Sequence, residues 1–435
     1  MNKQTTIVTI NSYLLLLLSF FITISVYVTD VIICLLVLSW LCSGNLKKKI
    51  KSISHDPLIY PSVCFFIYSL ISYCWSDSSI INNTMQKQLL LLLLPILYTL
   101  DYNNNHIQNY KKTFLLGLII NIILSITTLF SPNNIFFKKG HYDTNLFLHG
   151  FLDHFDYAIF LCFGILIILS YIKKINFLKY FILIIIFLIA LLNSYGRVGI
   201  ISLLIFFPIY ILLFSTSKTK YYLLLVVFFI TTCSYYIFSP FQNRIHQTIA
   251  SINLIYNKPS FKEKVENDAA YMAMNDTLPK EYFISEILKN NDWSEEINKK
   301  SPEYETSIGQ RYLYIKNSFQ LIRKKPISGM GSNSFEEVYN KLHPNLDTIK
   351  HPHNNYIFIL IELGIIGLFL MLYIFYRKIL IFFSSDKKDF LQLIFPLFFL
   401  WIMLFDNYFL NHNTLVFFCL FSFILYNKDR KYNQS

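Results

Sequence analysis

The stretch from Lys350 to Leu368, KHPHNNYIFILIELGIIGL, decides how the chain is read. His351 and His353 close a long polar segment, and from Asn354 onward the side chains are apolar enough to enter a bilayer. Asn354 or Asn355 suits the cap of the helix that begins there, because a short amide side chain accepts from the free N–H groups of a first turn. Glu362 lies roughly 12 Å further down at 1.5 Å per residue, which places it inside the hydrocarbon. An ionisable group at that depth is costly and is kept for pairing or for mechanism. The structural alternative is interfacial histidines above a packed, protonated or paired acid.

Composition makes the same point on a larger scale. The chain has 435 residues, 54% of them hydrophobic, 18% aromatic and 15% charged, with a mean hydropathy of +0.45. A soluble protein cannot bury that much apolar surface, so an all-α polytopic membrane protein is expected. The net charge of +12 does not indicate nucleic acid. The basic residues fall in short clusters between apolar runs, which is how cytoplasmic loops are marked. All seven cysteines lie in or beside apolar runs, with no disulfide or metal-ligand spacing, and read as small packing residues.

About twelve spans are expected. Residues 7–43 are read as a tight helix pair, roughly 8–28 and 31–43, divided at Asp30, with the first retained because no small-residue cleavage site follows it. Further spans fall near 57–75, 86–100, 112–130, 151–172, 177–194, 197–215 and 221–239, then 354–376, 390–406 and 413–426. Lys47–Lys49, Lys111/Lys112, Lys173/Lys174, Lys218/Lys220, Arg377/Lys378 and Lys428/Arg430 then share one side. Both termini are expected to be cytoplasmic. Three parts result: helices one to nine over 1–239, a large periplasmic and mainly helical loop over 240–353, and helices ten to twelve with a short tail over 354–435.

Within the large loop, Ile308, Tyr312, Ile315, Phe319 and Ile322 form a stripe about 80° wide at helical spacing, with Arg311 about 20° beyond its edge. Pro326 stops this helix. Gly329 and Gly331, in GMGSNSF, form a turn that would expose backbone N–H groups, although a lone GxG is more often a plain loop. Arg197, in NSYGRVGII, stands at the outer start of a span, where snorkelling to the interface is the commoner role. For Arg311 the commoner role is a solvated charge. Two arginines and a histidine on one face nevertheless suggest a chemistry. Guanidinium forks suit diphosphate oxygens without a metal, and histidine, titrating near ~6.5, can take a proton from a sugar hydroxyl. Asp143, Asp153, Asp156 and Asp406 fall near the same face without metal-ligand spacing.

These residues resemble a known family. HPHNNYIFILIELGIIG is similar to the H-x-H-N…E-x-G signature of the bacterial O-antigen ligase and polymerase superfamily. RYLYIKNSFQLIRKKPISGMGSNSF resembles its arginine-led helix followed by P-x-x-G-x-G-x-x-x-F, and NSYGRVGIISLLI its S-R-x-G helix start, with Gly196 interrupting the pattern. Motif support runs from about 150 to 376, and topology alone covers the rest.

The resemblance implies transfer of polysaccharide from undecaprenyl diphosphate at the periplasmic face of the inner membrane, with no metal, nucleotide sugar or other cofactor. It implies His353 as base, Arg197 and Arg311 on the diphosphate, His351 supporting it or merely interfacial, Asn354 in support, and Glu362 orienting its helix or pairing with a cation. Direct displacement would invert the anomeric centre. The partners would be the lipid-linked donor, a lipid A–core acceptor and membrane lipids. A polymerase would instead use a second lipid-linked repeat as acceptor, and one dominant external loop favours the ligase. A flippase would show paired half-chain repeats and midplane charges, neither of which the sequence displays.

Overall fold

The structure is a computed structural model describing residues 3–76, 87–103, 106–130, 152–172, 177–194, 196–214, 219–237, 239–256, 261–274, 278–289, 306–344, 348–386 and 388–427. The expected loop over 131–150, with Asp143, lies outside the described residues. All regular structure among the described residues is helical. The first half holds α1 (Lys3–Phe21), α2 (Val26–Cys42), α3 (Leu46–His55), α4 (Tyr60–Ile71), α5 (Leu93–Thr99), α6 (Ile107–Phe130), α7 (His154–Tyr171), α8 (Phe177–Asn193), α9 (Arg197–Phe214) and α10 (Thr219–Ile237). The polar segment supplies α11 (Ser239–Tyr256), α12 (Phe261–Met274), α13 (Lys280–Lys289), α14 (Ser307–Lys324) and α15 (Phe335–Leu342). The chain closes with α16 (Asn355–Ser384), α17 (Phe390–Ile402) and α18 (His412–Tyr426).

Every expected apolar span coincides with a helix, but length separates them. Ile107–Ile126, His154–Tyr171, Arg197–Phe214 and Asn355–Ser384 are long and apolar enough to cross a membrane, and α2 with α3 adds one if the bent pair is counted. The remaining apolar helices are shorter, so the described helices meet the expectation of twelve crossings in part. The boundary inside 7–43 also moves. The chain breaks at residues 22–25, where Ser25 caps α2 by accepting from Val28 N, and Asp30 sits within the helix. Asp30 is 46% exposed on the helix surface, with His412 Nε2 2.7 Å from its carboxylate.

Two helices are buried almost all round, as expected for segments apolar on every face: α7 from Asp156 to Leu169, and α18 from Asn413 onward. The phenylalanines explain how they pack. Phe163 meets Phe395, Phe398, Phe417 and Phe421 at centroid separations of 5.1–5.6 Å, several of them edge-on, where the ring quadrupoles attract. Large apolar side chains on the outer helices, such as Leu213 (67% exposed) and Phe369 (66%), face outward. That is the surface of a multi-pass membrane protein, with lipid as its outer solvent.

Candidate functional site

The site is organised around a break in a membrane helix. Asn354 caps α16, its Oδ1 accepting from Ile357 N at 3.1 Å, as the sequence suggests. The helix is interrupted at Gly364, which adopts φ +63° and ψ −164°. An interruption in an apolar setting strands backbone groups, each costing several kcal/mol if left unmet. Residues 326–331 meet them. Met330 N and Gly331 N donate to the carbonyls of Ile361 (2.7 Å) and Glu362 (2.8 Å), while Ile365 N and Ile366 N donate to Pro326 (3.0 Å) and Ile327 (3.4 Å).

This corrects the expectation for Gly329 and Gly331. Met330 N and Gly331 N are spent on α16 and Gly329 N on Lys325 O at 3.0 Å, so none of the three is presented to an anion. Gly329 has φ +72°, and a Cβ there would stand 2.4 Å from the Glu362 carbonyl, so close approach is what the glycine supplies. Glu362 is buried and accepts from the backbone N–H groups of Asn333 and Phe335, serving the start of α15. It thus ties the turn to the helix.

Two asparagines then fasten the loop between α17 and α18. Asn354 Nδ2 donates to Leu404 O at 3.0 Å, and Asn355 N to Met403 O at 3.0 Å. Asn355 Nδ2 donates to Asn407 Oδ1, and its Oδ1 accepts from Phe409 N at 2.9 Å. From below, buried Asp156 accepts from Asn411 (3.2 Å) and Asn413 (2.7 Å). The loop so held presents Asp406 to the histidines.

Asp406 is the centre of the cluster. His353 Nδ1 lies 3.1 Å from its Oδ2, His351 Nδ1 3.7 Å from its Oδ1, and Arg311 Nη2 3.5 Å from its Oδ2. Arg311 Nη1 also donates to Phe405 O at 3.1 Å. The side chains of His351 and His353 are 32% and 30% exposed, so a substrate can reach both, whereas Asp406, at 14%, acts from behind them. Burial alone would raise the Asp406 carboxyl, but the His353 hydrogen bond and the positive groups around it hold it below the usual carboxylate value. Burial pushes the His351 imidazole down to about 4; Asp406 pulls the other way, and His353, Lys87 and Arg311 add to the lowering. His351 is therefore neutral at pH 7, with its Nδ1 accepting from His353 N at 3.4 Å.

The local backbone differs from the expected extended doublet. His353 has φ +52°, a left-handed conformation unusual for a residue with a side chain, and the two rings still come within 4.4 Å of each other. The face of α14 is rotated as well. Gly309, Tyr314, Ser318 and Leu321 are buried, while Tyr312 (42%) and Phe319 (48%) of the expected stripe are exposed. Tyr314, Ser318 and Leu321 fall within about 60° of one another at helical spacing and mark the packed face, with Arg311 about 20° beyond Ser318. Arg311 consequently belongs to the packed face.

A cavity of about 150 Å³ opens on this cluster, lined among others by Lys87, Phe155, His351, His353, Asp406 and Asn411. Lys87 and Asp406 are the residues whose roles sequence reasoning missed; a lone lysine and a lone aspartate far along the chain carry no local signal. Arg197 is not among the lining residues, and it reaches Gln247 of α11 at 3.5 Å. Its neighbourhood is nonetheless close to the cavity. Gly196 and Gly199 pack on the backbone and side chain of residues 154–158, and Phe155 is a wall of the cavity. His351, His353 and Asp406 offer ligand atoms within 4.8 Å of one another, a spacing that could take a metal ion. Arg311 beside Asp406 and Lys87 on the cavity wall already supply positive charge, which favours an anion there.

A comparison of the whole chain with curated proteins finds no match. Residues 181–372, which run from α8 through Arg197, Arg311, both histidines and the break in α16, match the family model described as O-antigen ligase. The match agrees with the likeness of these motifs to the O-antigen ligase and polymerase superfamily.

Proposed function

We propose that the protein is an O-antigen ligase of the bacterial inner membrane, transferring polysaccharide from undecaprenyl diphosphate to a lipid A–core acceptor at the periplasmic face. The observation that carries this reading is one carboxylate with two partners: Asp406 lies 3.1 Å from His353 and 3.5 Å from Arg311. A base and a phosphate-binding fork thereby share one anchor. Asp406 keeps the proton of His353 on Nδ1, which leaves Nε2 free to accept.

The acceptor hydroxyl oxygen attacks the anomeric carbon while its proton passes to His353 Nε2. The carbon–oxygen bond to the diphosphate breaks, and the electron pair leaves on the phosphate oxygen. Arg311 and Lys87 answer that growing negative charge, with Arg197 on the flank of the cavity. Displacement in one step inverts the sugar centre. His351, neutral, braces the His353 backbone through its Nδ1. Asn354 and Glu362 hold the helix that carries them, and Gly329 and Gly331 allow the turn to plug it. The one large polar segment over 240–353 supports a ligase over a polymerase.

The test is a deletion strain analysed on a lipopolysaccharide gel and complemented with His353→Ala. The ligase reading expects core alone, with lipid-linked polymer accumulating, and no rescue by the variant despite normal membrane levels. Core bearing a single repeat would make it a polymerase. Rescue by a well-expressed His353→Ala protein would remove the base.

A further inference from the structure

We propose that α3 is an interfacial helix that binds anionic phospholipid headgroups at the membrane face opposite the candidate site. The placement follows from α2. Its Asp30 pairs with His412, next in sequence to Asn411 of the cavity wall. From there α2 runs away from the site, the whole helix being roughly 25 Å long at 1.5 Å per residue. At its far end the chain turns by 112° into α3, through Gly44 and Asn45, both left-handed at φ +72° and +55°. A helix at that angle to a membrane span lies across the end of the bundle, close to the plane of the membrane.

The corner is fixed from inside. Lys49 turns back on α2, donating to Trp40 O and Ser43 Oγ with its ammonium 4.6 Å from the Trp40 ring centroid. The indole itself donates to Thr99 Oγ1 at 2.8 Å. With Lys49 turned inward, the outer faces of α3 divide by chemistry. Leu46 (44% exposed) and Ile50 (61%) fall about 40° apart, and Lys47, Lys51 and Lys48 follow round the helix, all three exposed. Residues 43–55 include no acid. Exposed Leu46 and Ile50 suit a helix that lies in the interface. Such a helix sinks that pair among acyl chains and lets the lysine stems carry their charges to headgroup level. The cationic face selects lipids with negative headgroups.

The full-length protein, released from vesicles of equal phosphatidylglycerol and phosphatidylcholine, is scored for retained lipid by native mass spectrometry. The wild type is expected to retain phosphatidylglycerol at least about five-fold over phosphatidylcholine, the surface attraction of one lysine. The variant K47Q/K48Q/K51Q, which leaves the Lys49 corner intact and the other basic clusters of that side in place, should lower that ratio, and K47R/K48R/K51R should restore it. Equal retention of both lipids by the wild type, or an undiminished preference in the glutamine variant, would overturn the proposal. Failure of the arginine variant to restore the preference would also overturn it, since charge would then not be the cause.

Discussion

Asp406→Asn tests the centre of the site with the least disturbance to its shape. Asn407 N donates to Asp406 Oδ1 at 2.7 Å, so the amide oxygen of the variant stays on that side. The amide nitrogen then takes the place of Oδ2, facing His353 Nδ1 and Arg311 Nη2. It donates to the imidazole where the carboxylate accepted, which moves the histidine proton to Nε2 and removes the lone pair that catalysis needs. Arg311 keeps its bond to Phe405 O, so the helix stays docked. Loss of base catalysis is worth about 100- to 10,000-fold, which is about 2.7–5.5 kcal/mol of barrier. The assay is transfer of a lipid-linked glycan to acceptor in reconstituted vesicles, with kcat and donor KM measured separately. The fall is expected in kcat with donor KM unchanged or lower, since Arg311 loses a competitor for the diphosphate. Turnover within about three-fold of wild type, in a variant of normal abundance, would refute the assignment of Asp406 and weaken that of His353.

Three further outcomes are expected. Arg311→Lys keeps the charge but cannot span Phe405 O, Asp406 and a diphosphate together, so transfer should drop on the order of ten-fold, one lost charge-assisted bond. Wild-type turnover with lysine would make Arg311 an ordinary packing residue. Gly329→Ala places a Cβ 2.4 Å from the Glu362 carbonyl at a left-handed φ. It should cost roughly 2–5 kcal/mol of stability, visible as depleted protein in membrane fractions, whereas undiminished levels would contradict the close approach. His351 has its folded value lowered, so the unfolded chain binds the extra proton and stability is lost as pH falls from ~6.5 toward about 4. The slope is at most about 1.4 kcal/mol per pH unit, and less because the ring is 32% exposed. Thermal midpoints across that range should fall, and His351→Gln should flatten the dependence.

The helical architecture is legible because apolar runs of span length have few other uses, and a cap at Asn354 or Asn355 follows from position alone, Asn354 being the one that caps. The sequence predicts the arginine-led helix, but its packed face lies about a third of a turn from the predicted stripe. Where lipid is the outer solvent, Tyr312 and Phe319 can face outward without penalty, so a stripe of large apolar residues does not point to the protein interior. Asp406 was noticed only as an acid on the same side. Its meaning depends on contacts across 53 residues to His353 and 95 to Arg311, which no local spacing encodes. Lys87 was invisible for the same reason. Asp30 reads as a boundary because a lone acid in an apolar run is expensive, and no local spacing encodes its exposure or its contact with the distant His412.

The plug in α16 bears on the order of synthesis. Residues 326–331 leave the ribosome before residues 355–384, so the donors and acceptors that fill the gap exist before the gap does. A rearranged gene translating α16 ahead of the Pro326–Gly331 turn would deliver a helix with four stranded backbone groups and nothing yet made to receive them.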